Sequence, residues 1–366
     1  MPKRREIDYK ILFSVVTLVI IGIAMVYSAS GTIAGFRYGD PSFFIKRHLL
    51  WVLIGSAGMF VAMRVDYRNF RKLAPVFYFV SIAMLVIVFI PQLSREVGGA
   101  RRWLSFGFVS FQPAEFAKLA LIIFFSAFLV KKEEEGKLKD FVTGYMPSAI
   151  ALGVGFLLIL KQPDLGTSLI LALVIFSLFF VSGIKTSYII GTFLSLLPFL
   201  YVAILSVEYR RKRILAFLDP WADPSDSGFQ IIQSYIALGN GHIFGLGLGD
   251  SMQKNFYLPD AHTDFIFSII GEESGLIGCL FVIALFSVII YRGLKVAFRA
   301  PDSFGMYLAT GITLSVGIQA IVNMCVTTGL LPTKGLPLPF ISVGGSALVM
   351  WMISMGILLN VSEHTT

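Results

Sequence analysis

FIFSIIGEESGLIGCLFVIALFSVIIY, residues 265–291, is an unbroken apolar run whose only charges are Glu272 and Glu273. A helix needs about 20 mostly apolar residues to cross the hydrocarbon core of a bilayer, so this stretch reads as a membrane span. The rest of the chain agrees with it. The 366 residues are 56% hydrophobic and 14% charged, with a mean hydropathy of +0.80. A soluble domain carries roughly 25% charged residues, so a soluble globule is excluded. Glycine, tolerated in membrane helices, is as abundant as phenylalanine at 34 residues each. Cys279 and Cys325 lie inside apolar runs and read as small buried side chains, not as a disulfide framework. The four histidines form no metal-ligand pattern.

Working outward, ten such runs are expected to span: Tyr9–Ser28, Leu49–Met63, Leu73–Ile90, Phe116–Val130, Tyr145–Leu160, Gly166–Val181, Tyr188–Val207, Phe265–Tyr291, Met306–Thr328 and Ile341–Val361. The expected fold is therefore an all-α polytopic membrane protein, one integral domain over residues 1–366. The basic start Met1-Pro-Lys-Arg-Arg leads into an apolar run longer than the ~7–15 residues of a signal-peptide core, so it is expected to be retained as the first span. An even number of spans puts both termini on one side. The loops on that side hold Arg64, Arg68, Arg71 and Lys72, then Lys131, Lys132, Lys137 and Lys139, then Arg292, Lys295 and Arg299, which marks it as cytoplasmic. The opposite surface is also basic. An anionic phosphate partner accounts for that where topology does not; attraction to anionic lipid head groups is the plainer reading.

Three segments stand out on the outer side: 92–113, 208–264 and 329–340. In the long one, Phe229, Ile231, Ile232, Tyr235, Ile236 and Leu238 predict a short amphipathic helix at the membrane surface. Gly245-Leu-Gly-Leu-Gly249 has no preceding strand and is no nucleotide-binding loop. The two halves show no clear inverted repeat.

Ionisable residues at membrane depth are costly, so each needs a reason. Glu115 and Lys118 are spaced to pair along a helix. Asp164 precedes the sixth span, where it is placed to cap. Asp260, His262 and Asp264 crowd the start of the eighth. Asp264 shares a helical face with Ser268, Gly271 and Gly275, a polar and small face that points into the bundle. Glu272 and Glu273 within that span either pair with basic side chains or serve function. Arg101-Arg-Trp103 and Arg210-Arg-Lys-Arg213 read either as snorkelling clusters or as phosphate ligands.

On these residues the chain resembles the SEDS (shape, elongation, division, sporulation) family, the FtsW/RodA/SpoVE-type peptidoglycan polymerases. The resemblance is carried by Leu258-Pro-Asp-Ala-His-Thr-Asp-Phe-Ile-Phe267, Gly271-Glu-Glu-Ser-Gly-Leu-Ile-Gly278, Leu331-Pro-Thr-Lys-Gly-Leu-Pro-Leu-Pro-Phe-Ile-Ser-Val-Gly-Gly-Ser346, Gln112-Pro-Ala-Glu-Phe-Ala-Lys118 and Gln162-Pro-Asp-Leu-Gly-Thr167, in family order. Asp260 stands where the family usually has Glu, and Val343 where it usually has Tyr. The resemblance implies ten spans in the bacterial cytoplasmic membrane and polymerisation of lipid II into glycan strands at its outer face. It also implies a class B penicillin-binding protein as partner, with other division or elongation proteins, and no nucleic acid. The stretch with Lys334 is closest to the division branch. The family's essential aspartate falls on Asp264 and a second important one on Asp164.

Such a reaction needs a carboxylate to take a hydroxyl proton, or to hold a Mg2+ or Mn2+ ion that assists, and cations for the departing pyrophosphate. Asp264 is the candidate catalytic residue. Asp164, Arg101, Arg102, Lys118, Arg213, Lys334, Glu115, His262 and Ser342 are the candidate substrate-binding residues. Two other readings use the same residues: a lipid II flippase, needing a polar path through the whole membrane, and a structural scaffold of the division machinery.

Overall fold

The computed structural model describes residues 6–365 apart from Gly98, Gly107, Phe108, Ser206 and Phe256. Among the described residues, eight helices are long and apolar enough to span a membrane. They are α1 (Tyr9–Tyr38), α2 (Phe43–Arg64), α3 (Arg68–Ile87), α4 (Pro113–Glu134), α5 (Met146–Lys161, with a π-helical lead-in over Phe141–Tyr145), α10 (Ile266–Phe298), α11 (Ser303–Thr327) and α12 (Gly345–Glu363). Two further apolar helices, α6 (Leu165–Val181) and the Thr186–Phe199 part of α7 (Thr186–Leu205), bring the total to the expected ten. Between α7 and α10 lie two short helices, α8 (Glu208–Leu218) and α9 (Phe229–Asn240).

The boundaries differ from the sequence reading where hydropathy and helicity part company. α1 runs on to Tyr38 until Gly39, at φ 68, ends it with a left-handed turn. α2 opens at Phe43, well before Leu49. The last span starts at Gly345 and not Ile341, because Pro332, Pro337 and Pro339 keep the apolar segment before it out of a helix. The segment before α4 also holds a small antiparallel sheet, β1 (Ser94–Val97), β2 (Ala100–Phe106) and β3 (Val109–Phe111), in that spatial order. Arg95 faces Trp103 and Leu104 faces Phe111 in its register.

α4, α11 and α12 are the most enclosed helices; α2 and α3 are largely exposed, and α7 has no buried residue among those described. Small residues let helices approach closely. A methyl group on Gly356 would sit 2.4 Å from the Met59 carbonyl oxygen, and one on Gly55 would sit 2.6 Å from the Met352 sulfur, so α12 and α2 are in backbone contact. The start of α1 and the end of α12 meet at one end of the bundle. There the Asp8 amide donates to Ser362 Oγ at 3.0 Å, and Asp8 pairs with Arg292 at 2.5 Å. Arg68–Asp302 and Arg71–Glu134 pairs join the same end. The starts of α4, α6, α10 and α12 lie at the other end, where the site forms.

Candidate active site

Two irregular segments build the site. One is 328–344, after α11. Its apolar residues Leu336, Leu338, Phe340 and Ile341 are buried inside the bundle. Non-helical backbone inside a membrane protein must find internal hydrogen-bond partners. The prolines bring no N–H donor, and side chains of α11 donate to carbonyls of the segment. Gln319 Nε2 donates to the Pro337 carbonyl at 2.9 Å, and Asn323 Nδ2 donates to the Leu336 carbonyl at 2.7 Å and the Asp264 carbonyl at 2.8 Å. The second segment, 258–265, is tied to the first. The Val343 amide donates to the His262 carbonyl at 3.0 Å, and Ser342 Oγ donates to the Thr263 carbonyl at 2.5 Å while accepting from the Leu338 amide. Asp260, at φ 54, takes the left-handed turn that Asp tolerates, which aims Asp264 inward.

A cavity of about 130 Å³ opens beside these segments, lined by Arg102, Asp164, Arg210, Arg213, Thr333 and Lys334, among others. Asp264 stands behind Gly335, close enough that a methyl group on Gly335 would lie 3.1 Å from its Oδ2. α10 begins after Phe265, so Asp264 does not cap it. Its carboxylate makes no hydrogen bond or ion pair among the described residues. Burial pushes the carboxyl up to about 7; the charges of Asp260 and Asp164 add to this, while those of Arg213 and Arg102 oppose it. Burial likewise draws Lys334 below its ordinary value.

The other cavity residues are partly committed. Asp164 caps α6, accepting from the Thr167 amide at 3.1 Å and from Thr167 Oγ1 at 2.9 Å, with Gln112 Nε2 at 3.4 Å. Arg102 spends its fork on the turn before α6, donating to the carbonyls of Gln162 at 3.0 Å and Pro163 at 2.6 Å. Arg213 donates to the Thr333 carbonyl at 3.1 Å, which joins α8 to the 328–344 segment.

Other candidates lie outside this cavity. Arg101, on the opposite face of β2 from Arg102, pairs with Glu96 at 3.2 Å in solvent. Glu115 and Lys118 pair at 2.9 Å deep among α4, α11 and α12, where Lys118 also donates to Gln319 and sits 4.4 Å over the Trp351 ring. They reach the site only through Gln319 and Pro337. The His262 ring lies tilted against Phe44, and Ser342 is a cross-link between segments. Gln319 and Asn323 escaped the sequence reading. Their signal was there: with Thr327 they repeat every four residues along an otherwise apolar span.

The small face of α10 is covered. Ser268 and Ser234 of α9 share a hydrogen bond of 2.6 Å, and Leu238 packs on Gly271. At Gly275 (φ 65, ψ −164) α10 breaks, and the 241–247 loop repairs the break. Leu246 and Gly247 donate to the carbonyls of Glu272 and Glu273, and Leu276 and Ile277 donate to those of His242 and Ile243. The glycine-rich loop is thus a splint for a broken membrane helix. Glu273 pairs with Lys254 at 2.9 Å and accepts from Ser28 Oγ; Glu272 accepts from Ser251 Oγ and from the Met252 and Gln253 amides.

For a divalent cation, no group of three or more His, Cys, Asp or Glu side chains converges among the described residues. Asp264 offers open carboxylate oxygens beside the cavity. That suits a Mg2+ ion shared between one carboxylate and substrate phosphates, and no protein-only cage.

A helical bundle with buried irregular segments, a basic cavity and an open carboxylate at one end defines the class as a multi-pass membrane protein. Comparison with known proteins narrows this. Residues 9–366 match the sequence model of the FTSW_RODA_SPOVE family, described as "cell cycle protein", and the chain belongs to that family. The probable peptidoglycan glycosyltransferase FtsW of Geobacter metallireducens is 48% identical over 98% of this chain and 95% of its own. Stage V sporulation protein E of Bacillus subtilis is 41% identical over 99% of each. Among solved structures, a chain of a peptidoglycan synthase complex superposes with a TM-score of 0.78 at 29% identity, covering 97% of both chains. Thermus thermophilus rod shape determining protein RodA gives 0.72 at 26%, covering 97% and 96%.

Proposed function

We propose that this chain is a peptidoglycan glycosyltransferase of the FtsW type, which polymerises lipid II on the outer face of the bacterial cytoplasmic membrane. The relatives named for that activity match it end to end. The observation that carries the reading is an uncommitted carboxylate, Asp264, beside a cavity lined by Arg102, Arg210, Arg213 and Lys334. A hydroxyl oxygen of one saccharide attacks the anomeric carbon of another. The carbon–oxygen bond to the lipid pyrophosphate breaks, the electron pair leaves with the pyrophosphate, and Asp264 takes the hydroxyl proton. A carboxylate raised to about 7 suits this work, since a general base is most effective with a pKa near the operating pH. The cations stabilise the charge that develops on the leaving group. Asp164 holds the start of α6 in place and contributes negative charge beside Asp264.

The flippase reading needs polar groups through the membrane depth. Glu272, the residue that best suited it, is bonded internally, which favours chemistry at one face. The partner we assign is a class B penicillin-binding protein, in keeping with the synthase complex whose chain shares this fold. The start of α1 and the end of α12 lie together, and the basic loops of that end support a cytoplasmic side for it.

The test is glycan-strand synthesis from fluorescent lipid II by the purified chain with its partner. Strands from wild type and none from Asp264→Asn are expected; strands from both overturn the assignment. For orientation, an engineered cysteine at Ser225 is expected to label from outside intact cells and one at Glu135 to be protected. The reverse pattern inverts the topology.

A further inference from the structure

A second cavity, of about 370 Å³, lies near the 258–264 segment, to which its lining residue Val343 is hydrogen-bonded through the His262 carbonyl. Its lining includes Phe44, Arg47, His48 and Trp51 of α2, Trp103 of β2, and Gly344 at the start of α12. Its volume falls in the range of small-molecule sites, about 300–1,000 Å³.

Three independent features mark it as a built site. His48 is 2% exposed, lines the cavity, and leaves Nε2 with no hydrogen-bond partner among the described residues. A buried polar atom without a partner is costly unless a ligand meets it. The first turn of α12 opens onto the same space with no side-chain cap, so its amides remain available as donors. Two of the chain's four tryptophans line the cavity, and Trp51 lies so close to Gly345 that a methyl group there would collide with its ring at 2.2 Å. Aromatic rings with a few placed donors suit a pyranose, whose C–H face packs on a ring while its hydroxyls take hydrogen bonds. By contrast, the cavity between α6, α10 and α11 is lined by Leu173, Phe176, Phe180, Leu294 and Phe298 and suits acyl chains.

The two polar cavities are arranged as a pair. Both lie against β2: Arg102 lines the first and its neighbour Trp103 lines the second, because adjacent strand residues point to opposite faces. The 258–264 segment touches lining residues of both. Asp264 abuts Gly335 of the first cavity, and the His262 ring lies 4.8 Å from Phe44 of the second.

We infer that this second cavity is a saccharide subsite for the acceptor, holding the sugar whose hydroxyl attacks, while the basic cavity holds the donor's pyrophosphate. The inference rests on the glycosyltransferase reading and divides its two substrates between two named places. Trp103 and Trp51 pack against the acceptor sugar, and His48 Nε2 and the α12 amides hydrogen-bond its polar groups.

The experiment titrates the intact chain in its partner complex with two molecules. One is the soluble peptidoglycan disaccharide, which has no lipid or pyrophosphate; the other is undecaprenyl pyrophosphate, which has no sugar. Trp103→Ala and His48→Phe are each expected to weaken disaccharide binding about tenfold and to leave undecaprenyl pyrophosphate binding unchanged. Arg213→Ala is expected to do the opposite. Trp103→Phe keeps a ring and is expected to restore most of the disaccharide affinity, which separates lost contact from misfolding. If wild type makes strands but the disaccharide does not bind, or binds equally well to Trp103→Ala and His48→Phe, the subsite is wrong. If His48→Phe binds the disaccharide more tightly or Arg213→Ala weakens both molecules alike, the division into two cavities is wrong. Failure of wild type to make strands overturns the underlying activity as well.

Discussion

Asp264 and the Glu272–Glu273 pair lie about two helical turns apart on one stretch of chain, yet the fold treats them oppositely. Several donors are turned toward the glutamates. Lys254, Ser28, Ser251 and two backbone amides converge on them, and both side chains are at most 1% exposed. Asp264 has no such partners. Its backbone carbonyl is held by Asn323, but its carboxylate is left open next to a basic cavity. A buried carboxylate supplied with partners belongs to the architecture; one held in place by its backbone and denied partners is available for chemistry. The glutamates work beside the Gly275 break, where side-chain and backbone bonds together fasten the 241–255 segment to α10. That fastening holds the helix whose start presents Asp264.

The largest expected effect tests this contrast directly. Asp264→Asn is expected to lower strand synthesis by about 100-fold or more while the protein remains folded, since it removes a general base and no structural contact. Glu272→Gln is expected to keep most of its activity per folded molecule. Equal losses of activity in the two variants, measured against folded protein, would erase the distinction.

Next in size is Glu273→Ala, which leaves the buried Lys254 ammonium without its carboxylate. Breaking a buried pair in this way costs about 3–5 kcal/mol, read as a lower unfolding temperature and a poorer folded yield. Adding Lys254→Met to it is expected to recover part of the loss. A double variant no more stable than the single one would show that the pair is not the origin.

A smaller effect is expected from Gly275→Ala. The residue's φ of 65 disfavours a side chain, and a methyl group would meet the Gly245 amide nitrogen at 2.4 Å. The backbone strain alone costs about 1–3 kcal/mol, and the collision adds to it. Hydrogen exchange is expected to quicken first in the 241–247 loop and around the break; protection unchanged there would refute the splint.

The smallest effect concerns the sign of a stability change. Between 3.8 and about 7 the folded chain holds the Asp264 proton more tightly than the unfolded chain does. The stability from this group is therefore fully present below 3.8 and is lost as the pH rises through about 7. Asparagine cannot ionise, so Asp264→Asn is expected to melt about 2 °C or more above wild type at pH 8 and to match it near pH 4. Strand synthesis by wild type is expected to rise with pH through about 7. A variant that melts lower at pH 8 would mean that the carboxylate is stabilising after all.

Hydropathy by itself determined the membrane class and the ten apolar spans, because crossing a bilayer is a local demand that any apolar run of sufficient length meets. Spacing within the chain also foretold the Glu115–Lys118 pair and the Asp164 cap, since both partners lie within one helical turn. The site was legible only as a set of ionisable residues. That Arg102, Arg213 and Lys334 share a cavity, that Arg101 turns away from it, and that Lys118 is buried beneath it depended on contacts between residues far apart in the chain. The same holds for Gly245–Gly249, whose repeated glycines have no local meaning. Their role appears only when the loop meets the broken backbone of α10, because an amide in a membrane interior must find its partner wherever the fold places one.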